Sequence, residues 1–158
     1  MYARILVPLD GSRLACAALG PLRPLVGAGA EVTLVRVVEP DPAPEVEGGA
    51  AAEAAVRAEL EQARALLAAG PTPRIELLRG DPAGEILRAS EGHDLVAMTT
   101  HGRTGLDRWV RGSVAERVLR SARVPLLLCN PHTQVTAAER VERIVVPLDG
   151  SPGSAKVL

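Results

Sequence analysis

Aromatic side chains are nearly missing from this chain of 158 residues: there is no phenylalanine, and Tyr2 and Trp109 stand alone as tyrosine and tryptophan. Single-stranded nucleic acids are held by stacking bases on aromatic platforms, which this composition does not supply. A formal net charge of −1 adds no whole-molecule field to gather a polyanion. Nucleic acid is therefore not expected as a partner. Lysine occurs once, at Lys156, which excludes a lysine nucleophile or a phosphate-gripping lysine in the body of the domain. Cysteine occurs twice, at Cys16 and Cys129, both in apolar contexts and remote from any C-x-x-C or Cys/His cluster. Buried free thiols are expected, rather than a disulfide or a metal site. No uncharged apolar run reaches the roughly 18 residues a membrane span needs. The opening MYARILVPLD lacks the basic-then-apolar layout of a signal peptide. The expectation is a cytoplasmic protein with no membrane partner.

What is present fits one globular domain. The chain is 47% hydrophobic and 23% charged, enough to bury roughly two-thirds of its unfolded surface. It also repeats itself. Arg4-Ile-Leu-Val-Pro-Leu-Asp-Gly-Ser12 returns as Arg143-Ile-Val-Val-Pro-Leu-Asp-Gly-Ser151, identical at eight of nine positions and offset by 139 residues. That interval suits one complete domain followed by the opening of a second copy, not a solenoid. The expected organisation is a domain over 1–130, a linker over 131–142 and an incomplete second repeat over 143–158. Residues 143–147 are expected to form an extra apolar strand covered by a partner chain or by a further domain.

Along the chain, apolar runs alternate with helical patterns. Residues 4–8 read as a strand covered on both faces. Asp10-Gly-Ser12 then turns the chain, with Ser12 as N-cap of a helix over about 13–27, broken near Gly20 by Pro21 and Pro24. Residues 31–38 form a second strand bounded by Gly29 and Pro40, and 39–49 a loop. An amphipathic helix over about 50–69 places Val56, Leu60, Ala63 and Leu67 on one face, with Arg57, Glu61 and Arg64 turned away. A third strand covers 74–78. Asp81 caps a helix over 82–91 that has Pro82 at its first position. Then come a fourth strand over 94–99, a helix over 113–121 and a fifth strand over 125–129. Strict β-α alternation calls for an α/β fold: an open five-stranded parallel sheet with helices on both faces and right-handed crossovers, Rossmann-like in kind. Ligands of such sheets sit beyond the carboxyl ends of the strands, where strand order reverses.

Two strand exits carry unusual chemistry, Pro8 to Ser12 and Thr99 to Ser113. In the second, nine residues separate Gly102 from Gly112, Gly112-Ser113 opens a helix, and Arg103, Arg108 and Arg111 face a single acid, Asp107. Glycines let main-chain N–H groups approach a ligand, and a helix N-terminus favours an anion. The bland reading is that the glycines serve turns and Ser113 is an ordinary cap. A Walker lysine, a G-x-G-x-x-G fingerprint and a pyrophosphatase-type S-G-G-x-D-S loop are all absent, so a phosphate here would be held by backbone dipoles.

The chain resembles the universal stress proteins, whose ATP-binding members carry G-x2-G-x9-G-[ST] after the fourth strand. Gly102, Gly112 and Ser113 match the second and third glycines and the hydroxyl. The flanks His-Gly-Arg-Thr-Gly and Gly-Ser-Val-Ala-Glu-Arg-Val and the opening Val-Pro-Leu-Asp-Gly-Ser match as well. The similarity runs over residues 2–129, and a tandem arrangement is common in that family. The motif's first glycine is replaced by Thr99, whose branched side chain either crowds a ribose or points away. The resemblance implies an adenine nucleotide alpha hydrolase-like fold. It puts Pro8 and Asp10 beside adenine and ribose and Val37 at the adenine edge. It puts Met98 and Thr99 along the sugar, and His101, Gly102, Gly112, Ser113, Val114 and Ala115 around the phosphates of ATP, ADP or AMP.

For Asp10 the alternative is an Asx-turn residue; for His101, a loop histidine bonded to backbone; for Trp109, an anchor for its loop. Mg2+ is expected only as a companion of a triphosphate, because no ligand cluster can be named. The resemblance further implies a homodimer formed through the fifth strand, about 124–129. The leading expectation is a non-catalytic or weakly hydrolytic ATP-binding stress-response module. An ATPase or nucleotidyl transferase, with His101 as the sole candidate base, and a structural dimerisation domain with an empty cleft are the alternatives.

Overall fold

The computed structural model describes residues 2–40, 49–67, 72–100, 113–130 and 143–151. Five strands, β1 (Tyr2–Pro8), β2 (Val26–Val38), β3 (Arg74–Arg79), β4 (Leu95–Thr99) and β5 (Leu126–Cys129), lie in the order β3-β2-β1-β4-β5. Every pairing is parallel. The expected α/β architecture is present. Because side chains alternate across a strand, Ile5 and Val7 enter one core and Leu6 the other. All three are fully buried, which is why the run is continuously apolar rather than alternating.

The first core is roofed by α2 (Gly49–Ala65), with Leu60, Ala63 and Leu67 buried and Val56 packed against them. The second is roofed by α3 (Pro82–Ser90) and α4 (Ser113–Ser121), through Ala83, Ile86, Ala115 and Val118. The α2 face anticipated from spacing is buried, but the helix ends at Ala65 rather than near residue 69, and Leu67 is buried from the turn that follows it. Asp81 caps α3 as expected, its carboxylate accepting from the Gly84 N–H at 2.9 Å.

Two elements differ from the sequence reading. The helix expected over 13–27 is three short pieces: a 3-10 turn (Ala15–Ala18), a single α-helical turn α1 (Leu19–Leu22) and a second 3-10 turn (Arg23–Leu25). Gly20 disfavours helix, and Pro21 and Pro24 each remove a helical N–H, so no continuous hydrogen-bond ladder survives. Leu19 and Leu22 are buried all the same; packing, not propensity, keeps the segment in place. Second, β2 starts at Val26, well before residue 31. Tyr2 pairs with Val26 and Arg4 with Glu31, so a bulge lies between these pairs. Gly29, at φ +84°, lies within it. Gly29 is therefore a kink inside the strand and not its boundary.

The repeated segment does not form a strand within this chain. Residues 143–149 have no regular structure, and Ile144 and Val145 are 77% and 85% exposed. A strand exists by pairing, and the slot that this sequence fits, between β2 and β4, already holds β1. Its turn forms nonetheless. Gly150 has φ +79°, as does Gly11, and the Ser151 N–H reaches Asp149 Oδ1 at 2.9 Å, as Ser12 reaches Asp10.

Candidate functional site

The chain runs outward from β1 to β2 and β3 on one side and to β4 and β5 on the other, so strand order reverses between β1 and β4. Flanking loops must diverge there and leave a crevice at the strands' carboxyl ends. A cleft of about 600 Å³ occupies this place, within the ordinary range for small-molecule sites.

Pro8 and Asp10 border it from the exit of β1, Val37 from the end of β2, and Met98 and Thr99 from the end of β4. Ser113, Val114 and Ala115 close it from the first turn of α4. Eight residues singled out from sequence thus share one cavity. His101, Gly102 and Gly112, with Arg103, Arg108, Trp109 and Arg111, lie outside the described residues, as does His132. The third histidine, His93, is tied to the fold: Nδ1 pairs with the Ala89 carbonyl at 2.8 Å and Nε2 with Thr33 Oγ1 at 3.2 Å.

The aspartate is held locally. Asp10 Oδ1 accepts from the Ser12 N–H at 2.9 Å and from its hydroxyl at 2.6 Å, while Ser12 Oγ accepts from the Ala15 N–H at 3.1 Å. This is the Asx-turn reading, and it coexists with the binding reading: the turn orients a carboxylate that also lines the cleft. The reversal needs Gly11 at φ +79°. A Cβ there would lie 2.3 Å from Glu59 Oε2 and 3.0 Å from Arg36 Nη1. Thr99 is buried at the end of β4, in register with Cys129, so its branched side chain is accommodated within the fold.

Both helices bordering the cleft carry an acid in their first turn, Glu85 in α3 and Glu116 in α4. The first N–H groups of any helix lack intrahelical acceptors and carry partial positive charge. At α3 that end is met by Asp81, which also receives a bidentate Arg117 from α4, with Nη1 to Oδ1 at 2.8 Å and Nη2 to Oδ2 at 2.9 Å. The Arg117 guanidinium, with the Gly84 N–H, holds the Asp81 carboxyl below its ordinary pKa. The opening turn of α4 faces the cleft with Ser113, a hydroxyl beside main-chain N–H groups, and can receive an anion. Burial raises the Cys129 thiol to about 11. Burial, then the Asp10 charge, raises that of Cys16. Neither is poised as a nucleophile; both are free, Cys129 buried as expected and Cys16 only half-buried.

Sequence reasoning missed part of the wall. Arg36, Val56, Pro82 and Ile86 also line the cleft. The cap-and-proline start of α3 was a signal for Pro82; for Arg36, only its place just before the end of a strand. Among the described residues no group of three or more histidines, cysteines or acids could hold a metal ion, and no helix is long and apolar enough to cross a membrane.

A parallel sheet with a crevice at its switch point, floored by strand ends and closed by a helix N-terminus, defines an α/β domain of the Rossmann-like, nucleotide-binding kind. The profile of the universal stress protein family matches residues 1–130, and the chain belongs to that family. Among curated proteins it is similar to universal stress protein MJ0531 of Methanocaldococcus jannaschii, 49% identical over 55 residues. That match covers 34% of this chain and about a third, 32%, of the relative. Among solved structures it is similar to the protein MJ0577, with 26% identity, a TM-score of 0.68, and coverage of 85% of this chain and 99% of the other. A universal stress protein solved in complex with cAMP shares the fold at 20% identity and a TM-score of 0.60, over 82% of this chain and 98% of the other.

Proposed function

We propose that this stress-protein domain binds an adenine nucleotide, ATP in the first instance with ADP or AMP as alternatives, and acts as a sensing or signalling module that is non-catalytic or weakly hydrolytic. The observation that carries the reading is the convergence of Pro8, Asp10, Val37, Met98, Thr99 and the first turn of α4 on one cleft. The complex of a fold relative with cAMP supports it. Asp10 would accept from ribose hydroxyls or the adenine amino group, main-chain groups at Val37 would meet the adenine edge, and Ser113, Val114 and Ala115 would donate N–H groups to phosphate. His101, Gly102 and Gly112 complete the proposed phosphate cradle on the sequence motif alone. The floor is apolar, with Met98 and Ile86, which suits a purine face.

The cleft thus fits a nucleotide in volume and donor set. Mg2+ would arrive with a triphosphate. Among the described residues β5 is the last strand of the sheet, which supports the proposal of a homodimer, because a sheet edge is a ready template for another chain. The repeated segment and its ready-made turn support the proposal that residues 143–158 open a second unit of the same fold. A cytoplasmic location belongs with this reading.

Calorimetric titration with ATP is the test. Saturable heat from the wild-type chain, strongly weakened by Asp10→Ala, is the expected result; no heat and no thermal shift at millimolar ATP favours an empty structural domain.

A further inference from the structure

Most ion pairs of the described chain lie within a helix or join neighbouring strands and exposed edges. In the helices beside the cleft, Glu85 holds Arg88 one turn along α3, and Glu116 holds Arg120 at 2.9 Å along α4. Asp81 and Arg117, 36 residues apart, are different: they join the N-cap of α3 to α4 by two parallel N–H···O bonds.

We propose that Asp81 and Arg117 are a positioning pair that sets the N-terminal turn of α4 for the phosphates of the ligand. This rests on the nucleotide reading above and goes beyond it. Ala115 and Val118 pack against Ala83 and Ile86, which fixes the distance between α3 and α4. Apolar contacts are non-directional and leave rotation about the helix axis weakly specified. A bidentate guanidinium–carboxylate pair is directional. Arg117 lies four residues, about 6 Å of rise, along α4 from Ser113, so fixing its azimuth also fixes the direction of the opening N–H groups.

The test uses the 158-residue chain with ATP and adenosine as probes. Arg117→Gln removes the fork and keeps the α3 cap; Asp81→Asn keeps an N-capping acceptor and removes the charge. Because the pair is half-exposed, the effect is modest: each variant should bind ATP about three- to fivefold more weakly and adenosine with less than twofold change. The double variant should match either single one, since one interaction is lost only once. Arg117→Lys should recover part of the loss. A purely structural role would weaken both probes alike, and that outcome overturns the proposal, as does unaltered ATP affinity in Arg117→Gln or additive losses in the double variant. If the wild-type chain binds neither probe, the nucleotide reading falls and this inference with it. If it binds both and Arg117→Gln changes nothing, only the inference falls.

Discussion

Gly11 and Gly150 are one residue copied into two environments. Both have φ +79°, but a Cβ at Gly11 would meet Glu59 and Arg36 while one at Gly150 has nothing within 4 Å. The left-handed conformation costs an L-residue about 1–2 kcal/mol in either place. Only Gly11 belongs to the packed domain. Gly11→Ala should therefore lower unfolding free energy by at least about 1 kcal/mol in urea melts, while Gly150→Ala leaves the melt unchanged. Cys129 supplies a second residue-level expectation. A buried thiol with a pKa near 11 is almost wholly protonated at pH 8, so its labelling by iodoacetamide should await unfolding and slow further as ligand stabilises the fold. At this scale Asp10 was legible in sequence as both a turn residue and a ligand contact, and the hydrogen bonds of Ser12 accommodate both. Arg36 was barely legible: in Val35-Arg36-Val37 only its place just before the strand's end hints that this arginine would reach a cleft wall.

Elements were read best where local and tertiary preferences agree. In α3, cap, proline and apolar face all specify the same helix, and it forms within one residue of expectation. In α2 the spacing of Val56, Leu60 and Ala63 was sufficient for the same reason. Residues 15–25 fail that agreement: the cap at Ser12 suggests a helix, Gly20, Pro21 and Pro24 forbid a long one, and burial of Leu19 and Leu22 settles for short turns. For β2, glycine punctuation misled, because a bulge uses the same residue type as a boundary. The strand core makes a plain prediction. Leu34 is fully buried between β1 and β3, and Leu34→Ala should cost about 2–5 kcal/mol by denaturant unfolding, with the helical circular dichroism retained below the transition.

The whole molecule is two cores on one sheet, with electrostatic ties at both ends of its strands. Asp94 receives the Arg4 and Ala3 N–H groups at the start of β1, and Asp81 ties α3 to α4 beside the cleft. Hydrogen bonds hold both carboxyls below their ordinary value of 3.8. A depressed folded pKa contributes stability that is fully present above the unfolded pKa and is lost as pH falls through the folded one. Thermal midpoints should hold steady from about pH 7 to 5 for these two groups and drop below about pH 4. In Asp94→Asn that acid drop should be shallower. The repeat also belongs to this scale: the apolar side chains of residues 144–148 are exposed in this chain, and deletion of 143–158 should leave the domain's melting temperature unchanged.

Where a nucleotide lands is the central matter, and amide chemical-shift mapping on the 15N-labelled chain reads it directly. ATP should shift the amides of Asp10, Val37, Thr99, Ser113, Val114 and Ala115 together, saturating with one affinity. Shifts gathered instead around Cys16, Gln62 and Leu66, in the neighbouring cavity of about 410 Å³, or no shifts at all at millimolar ATP, would contradict the account.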